Sequence, residues 1–173
     1  MNRLPVYKAS FFLNQKRKDG VRIRVSYAEN HVYSDFEITE QFIAETNSVY
    51  NGILFGIMDV LMWYAIMMET KKICMTKKVD VDFFEPIACN VPYRAKSKLL
   101  SHKGKDFHVA AWIEDTAGRI CTKVTALFRE GKGVDIAKVI RDFDFSETTP
   151  EMKKLFDSFI EQDVDLYRNN CGA

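Results

Sequence analysis

The sequence predicts an α+β domain in which an antiparallel sheet wraps one long buried helix, and three observations carry this. The run ILFGIMDVLMWYAIMMETKK behind the pair Asn51-Gly52 is apolar around nearly its whole circumference, so a helix there must be enclosed rather than laid on a surface. Two strand-like segments precede it and four follow, joined by short turns, which is the order of a meander. The chain has 173 residues, 47% of them hydrophobic and 13% aromatic, enough apolar material for one packed core.

The elements follow from local pattern. In VRIRVSY, Val21, Ile23 and Val25 fall on one face with Arg22 and Arg24 on the other, the period-2 signature of a half-buried strand. A second strand is expected through His31 to Ile38, and Thr39 opens a short polar turn or helix. Met, Leu and Ala then favour helix over strand in the apolar run, whose length exceeds that of an ordinary strand. Thr76 to Phe84, Tyr93 to Leu100, Phe107 to Ile113 and Ile120 to Phe128 read as strands, turning at Glu85-Pro86, Lys103-Gly104 and Ala117-Gly118. Past Gly131-Lys132-Gly133, the stretch Thr148-Thr149-Pro150-Glu151 has a capping-box spacing with an early proline. Met152, Leu155, Phe156, Phe159 and Ile160 follow at helical spacing. They make a C-terminal amphipathic helix that packs on the domain or on a sister subunit, or docks another protein.

Charge and cysteine usage narrow the class. There are 25 Lys and Arg against 24 Asp and Glu, a balance unlike the basic excess of a dedicated nucleic-acid binder. Residues 1–20 carry a net +4, residues 21–130 are neutral and residues 131–173 carry −3, which divides the chain into a basic extension, a core domain and an acidic extension. Cys74, Cys89, Cys121 and Cys171 stand far apart with no C-x-x-C and no histidine at ligand spacing, so no metal site is expected and the thiols read as reduced and cytoplasmic. The apolar run from Ile53 to Met68 contains Asp59 and falls short of the ~20 residues that span a bilayer. No membrane span is expected.

Asp59 is the first candidate for chemistry, because an ionised carboxylate within an apolar helix is costly unless paired or hydrogen-bonded. Gly52, Gly56, Asp59 and Trp63 share one helical stripe. Two missing side chains there leave room for a ligand, or for a tightly packed neighbour with Asp59 capping a nearby loop. Asn51 and Gly52 begin the helix, so first-turn amides without intrahelical partners point at an incoming carbonyl or phosphate.

Tyr50-Asn51-Gly52 with Asp59 seven residues after the glycine resembles the H-G-G-x6-[DE] opening of the central helix in hotdog-fold acyl-CoA thioesterases. Val79 to Ile87, VDVDFFEPI, is similar to their N-V-x-F-L-R-P-V strand, and Asp115-Thr116-Ala117-Gly118-Arg119 through Phe128 is similar to their D-x-x-G-R hairpin. The likeness covers roughly Val21 to Arg129. It extends to the branch holding the long-chain fatty-acyl-CoA thioesterase-like proteins and the ligand domain of the bacterial fatty-acid-synthesis repressor. It implies a single hotdog domain, a homodimer whose sheets join, and acyl-CoA sites between subunits with no further cofactor. By position it makes Asp59 the general base or nucleophile, Thr76 a hydroxyl beside the reacting carbon and the amides near Gly52 the carbonyl site. Asn47 corresponds to a polar residue that holds water or the carbonyl.

Departures from the pattern bear on activity. Tyr50 stands for the family histidine and Asn51 for its first glycine, while Asp82 and Glu85 occupy positions of arginines. A malonyl carboxylate near Asp82 would meet like charge, which argues against malonyl-CoA. Residues 71–105 hold nine basic against three acidic side chains. Lys103 and Lys105, flanking Gly104 in a hairpin, are candidates for the nucleotide phosphates of coenzyme A. His31, His102 and His108 form no pair at triad or metal spacing. The function expected is therefore an acyl-CoA-binding protein, either a divergent thioesterase of fatty-acid metabolism or a non-catalytic sensor acting through protein partners.

Overall fold

The computed structural model describes residues 2–44 and 47–170, of which 161–170 are described by backbone alone. In chain order the elements are β1 (Asn2–Arg3), β2 (Val6–Tyr7), β3 (Ser26–Ala28), β4 (His31–Glu37), a 3-10 turn (Glu40–Phe42), α1 (Asn51–Thr70), β5 (Cys74–Phe83), β6 (Pro92–Lys103), β7 (Asp106–Glu114), β8 (Ile120–Glu130), α2 (Ile136–Arg141), β9 (Phe143–Asp144) and α3 (Pro150–Asn170). Seven strands form one antiparallel sheet in the order β1-β3-β4-β6-β7-β8-β5, and β2 pairs with β9 in a separate ribbon.

The sheet curves around α1 as expected. Nine residues of α1, from Leu54 to Met67, are buried, so a helix long and apolar enough to cross a membrane is spent as a core. The inner face beneath it is rich in small residues, with Ala95, Ser97, Ala111 and Ala126 all buried, which lets the helix approach the strands closely. Ser97 donates its hydroxyl hydrogen to the Ala110 carbonyl at 3.0 Å. The helix stops at Lys71, which adopts the left-handed conformation at φ 58° and donates its N–H to Met67 O.

Residues 21–25 depart from expectation. Ile23 and Val25 are buried as the alternation predicts, yet no strand forms there. Arg22 takes φ 59°, which breaks an extended ladder. The amides of Val21 and Ile23 donate instead to Phe11 O and Phe12 O, and Val25 O accepts from Leu4 N. The segment is satisfied by the N-terminal residues rather than by a neighbouring strand.

The two oppositely charged end segments pack on the same core. Leu4, Leu13, Ile140, Phe143, Met152, Phe156 and Phe159 are buried with α1. Lys8 N donates to Asp142 O, Lys16 pairs with Asp144 at 3.4 Å, and Arg24 grips Glu147 with two contacts of 2.7 and 3.1 Å. Tyr64, fully enclosed in α1, donates its hydroxyl hydrogen to Pro5 O at 2.7 Å, and burial pushes its phenol far above the ordinary range. The apolar stripe of α3 is covered by this chain through Phe159. Cys74, Cys89 and Cys121 are buried free thiols, and Cys171 lies outside the described residues.

Candidate active site

Asp59 sits two turns into α1, where the helix leaves the shelter of the sheet toward its edge strand β5. Thr76 is on the helix-facing side of β5, opposite the buried Phe128 of β8. The two meet: Thr76 Oγ1 donates to Asp59 Oδ1 at 2.7 Å. Directly after Thr76 the ladder slips, leaving Lys77 without a partner on β8, a bulge of the kind that re-aims side chains beside functional sites. Burial raises the Asp59 carboxyl above the ordinary carboxylate range, and the Thr76 hydrogen bond partly offsets this.

This pair opens into a cavity of about 540 Å³, within the size range of small-molecule sites. Val60, Trp63 and Tyr64 line it from α1, and Cys74, Met75 and Phe128 from the sheet. The remaining walls come from Tyr7, Ser10 and Leu13 near the N-terminus and from Lys138, Val139 and Asp142 around α2. The space is mainly apolar, with one hydrogen-bonded, partly desolvated carboxylate at its mouth. Such a carboxylate can take a proton from water at neutral pH, and the apolar walls suit a hydrocarbon group.

The other predicted residues fall elsewhere. Asn47, at φ 60°, accepts from Cys89 N in the loop before α1, and Tyr50, Asn51 and Gly52 form the helix start. Tyr50 O accepts from Ile53 N and Leu54 N, whereas the amides of Asn51 and Gly52 have no acceptor among the described residues. Seven residues of helix separate Gly52 from Asp59, about 10 Å, so within one chain this turn and this carboxylate cannot contact the same carbonyl group. Lys103 and Lys105 lie at the tip of the β6–β7 hairpin, exposed. Strand register places that tip at the Met75–Thr76 end of the sheet, three strands away, or about 14 Å.

The space beside Gly56 does not belong to a ligand. A Cβ there would stand 2.0 Å from Phe12 Cζ, because the ring of Phe12 fills the gap. Of the two alternatives the sequence leaves open at Gly56, a ligand or a tightly packed neighbour, the neighbour is the one seen, the Phe12 ring. Gly56→Ala is expected to lower stability by ~0–2 kcal/mol, since forcing Phe12 aside costs ~1–3 kcal/mol and the gain in helix propensity returns only ~1. Denaturant unfolding checks this, and a variant more stable than the parent would show that Phe12 is not seated there. The terminal wall residues were not foreseen, because nothing periodic marks Tyr7, Ser10 or Leu13 and α2 is too short to carry a helical pattern.

No family model and no curated protein sequence matches the chain, but its fold matches solved structures. A thioesterase superfamily protein superposes with a TM-score of 0.66 at 17% identity, covering 71% of this chain and 61% of its own. The PaaI protein from the phenylacetic acid degradation operon of E. coli gives 0.61 at 16%, covering 66% and 83%. A Streptococcus mutans protein bound to acetyl CoA gives 0.60 at 10%, covering 68% and 94%. The chain thus spans less than two thirds of the first of these and most of the other two. Its fold is the hotdog fold of thioesterase superfamily structures.

Proposed function

We propose that this protein binds an acyl-CoA and hydrolyses its thioester, with Asp59 as general base. The observation that carries the reading is the Asp59–Thr76 hydrogen bond at 2.7 Å at the mouth of an apolar cavity. Asp59 takes a proton from water, the water oxygen adds to the thioester carbon, the C–S bond breaks and the thiolate of coenzyme A leaves with the proton. The acetyl CoA bound by the Streptococcus mutans structure supports the ligand class. Buried free thiols support a reducing, cytoplasmic setting. The test is incubation with acyl-CoAs of several lengths, following binding and free-thiol release together; turnover that survives Asp59→Ala unchanged would remove the mechanism.

The site is completed, in this reading, by a second copy. Strand β5 is a ten-residue edge with only Cys74 buried, and Met75, Phe83 and Phe84 are exposed along or beside it. Such an edge is a template for another strand. Antiparallel pairing with Val79 opposite its own equivalent sets Lys78 beside Asp80 of the partner subunit, opposite charges on one face. That two-fold also runs the two central helices antiparallel, turning the amides of Asn51 and Gly52, which have no acceptor among the described residues, toward Asp59 of the other copy, where they could stabilise the oxyanion. Val79→Glu is expected to give a monomer that has lost most hydrolysis, measured by sedimentation equilibrium and thiol release. A parent protein that is itself monomeric and active overturns the composite site.

One observation favours the sensor reading. Tyr50 folds its ring over the helix start, so that a Cβ on Gly52 would lie 2.7 Å from Tyr50 Cε1, covering the turn where a thioester carbonyl would dock. Saturable acyl-CoA binding without thiol release selects that reading.

A further inference from the structure

We propose that the two terminal segments set the upper size limit of the acyl group, so that the cavity takes acyl chains of intermediate length in preference to long ones. The inference rests on the acyl-CoA reading above. The N-terminal segment runs antiparallel along α1: Pro5 is held by the Tyr64 hydroxyl and Phe12 lies on Gly56. Those anchors are eight helical residues apart, about 12 Å, and Asp59 lies between them. The segment therefore closes the side of the cavity that faces away from β5 along the whole reach of the carboxylate. Across it, α2 supplies Val139 with Lys138 and Asp142 beside it.

The wall is fixed rather than draped. Ser10 Oγ accepts from the amides of Phe12 and Leu13, both at 3.2 Å, and Leu13 is 2% exposed. The ribbon of β2 with β9 joins the two terminal segments, and the Phe143 ring behind it packs at 6.0 Å from Tyr7 and 6.2 Å from Trp63. An acyl chain entering past Asp59 and Thr76 meets Tyr7, Leu13 and Val139. Lys138 and Asp142, the charged lining residues beside Val139, are exposed, so methylenes beyond the apolar walls would lie beside hydrated charges and gain little burial. The sequence leaves acyl length open, and the slot supplies a limit to it.

The experiment measures affinity of the full-length protein for acetyl-, octanoyl- and hexadecanoyl-CoA. The parent is expected to favour octanoyl-CoA. Val139→Ala enlarges the wall and should raise hexadecanoyl affinity relative to octanoyl by about tenfold, and Val139→Phe should lower octanoyl relative to acetyl by a similar factor. Tyr7→Ala, at a residue 37% exposed and on the other segment, should act like Val139→Ala and guards against a folding defect at α2. Variants that shift every length by one common factor, or a parent that prefers hexadecanoyl-CoA, overturn the size limit while leaving acyl-CoA binding intact. A parent that binds none of the three overturns the acyl-CoA reading and this proposal with it.

Discussion

Asp59→Asn is expected to lower thioester hydrolysis by about a hundred- to ten-thousand-fold, the usual contribution of a positioned base, while making the folded protein more stable at neutral pH. The side chain keeps its shape and Asn Oδ1 can still accept from Thr76, so binding of acyl-CoA should persist. The stability gain follows from linkage. Burial raises the carboxyl above its ordinary value of 3.8 in the folded state, so the folded protein holds this proton more tightly than the unfolded chain. Full stability is present below that ordinary value, and some is lost as pH rises through the higher folded one. At neutral pH the parent carries this deficit and the Asn variant does not. Denaturant melts at pH 7 and near pH 4 should show the advantage of Asp59→Asn shrinking at the lower pH.

The same carboxyl predicts the activity profile. Hydrolysis requires it ionised, so the acid limb of kcat/KM should lie above the ordinary carboxylate range. Thr76→Val deletes the hydrogen bond that, among the described residues, opposes the upward shift and should move the limb to still higher pH. A limb that stays in place would mean that Asp59 is not the titrating group.

Phe143→Ala is expected to cost ~3–5 kcal/mol, the range for removing a buried phenylalanine. That is a large part of the ~5–15 kcal/mol that holds a typical domain together. Phe143 is 3% exposed and its ring meets those of Tyr7, Trp63, Tyr64, Phe145 and Phe156, all with centroids within 6.4 Å. It joins both terminal segments to the open face of α1. Hydrogen exchange should therefore show residues 4–13 and 136–160 losing protection well before β7 and β8, whose ladder does not involve it. A loss under ~1 kcal/mol would mean that the cluster repacks without this ring.

The hotdog core was legible because its elements carry strong local signals. The apolar circumference of residues 53–68 marks α1, and the alternating strands β4 and β6 to β8 fall within a few residues of where their side chains predict. Asp59 was legible for one physical reason: a carboxylate in such a helix needs an explanation. Its partner was not readable from period or propensity, since Thr76 is 17 residues away on an exposed edge and only the family spacing pointed there. Gly56 left two readings open for a related reason. A glycine announces a missing side chain but not whether substrate or Phe12 takes the space. The terminal segments were read from charge as separate extensions, and their contacts are long-range ones that no local window contains.

The ribbon that ties β2 to β9 also has a consequence in time. Lys8 and Arg141, which meet beside it, are 133 residues apart in the chain, so the earlier-made strap must wait for α2 and β9 before it can dock. Contacts of such separation form late, and a two-residue ladder opens early under stress. The hotdog core can thus exist before its cavity has an end wall. If the terminal segments limit acyl size as proposed, a nascent or partly opened molecule would lack that limit until β2 and β9 have paired.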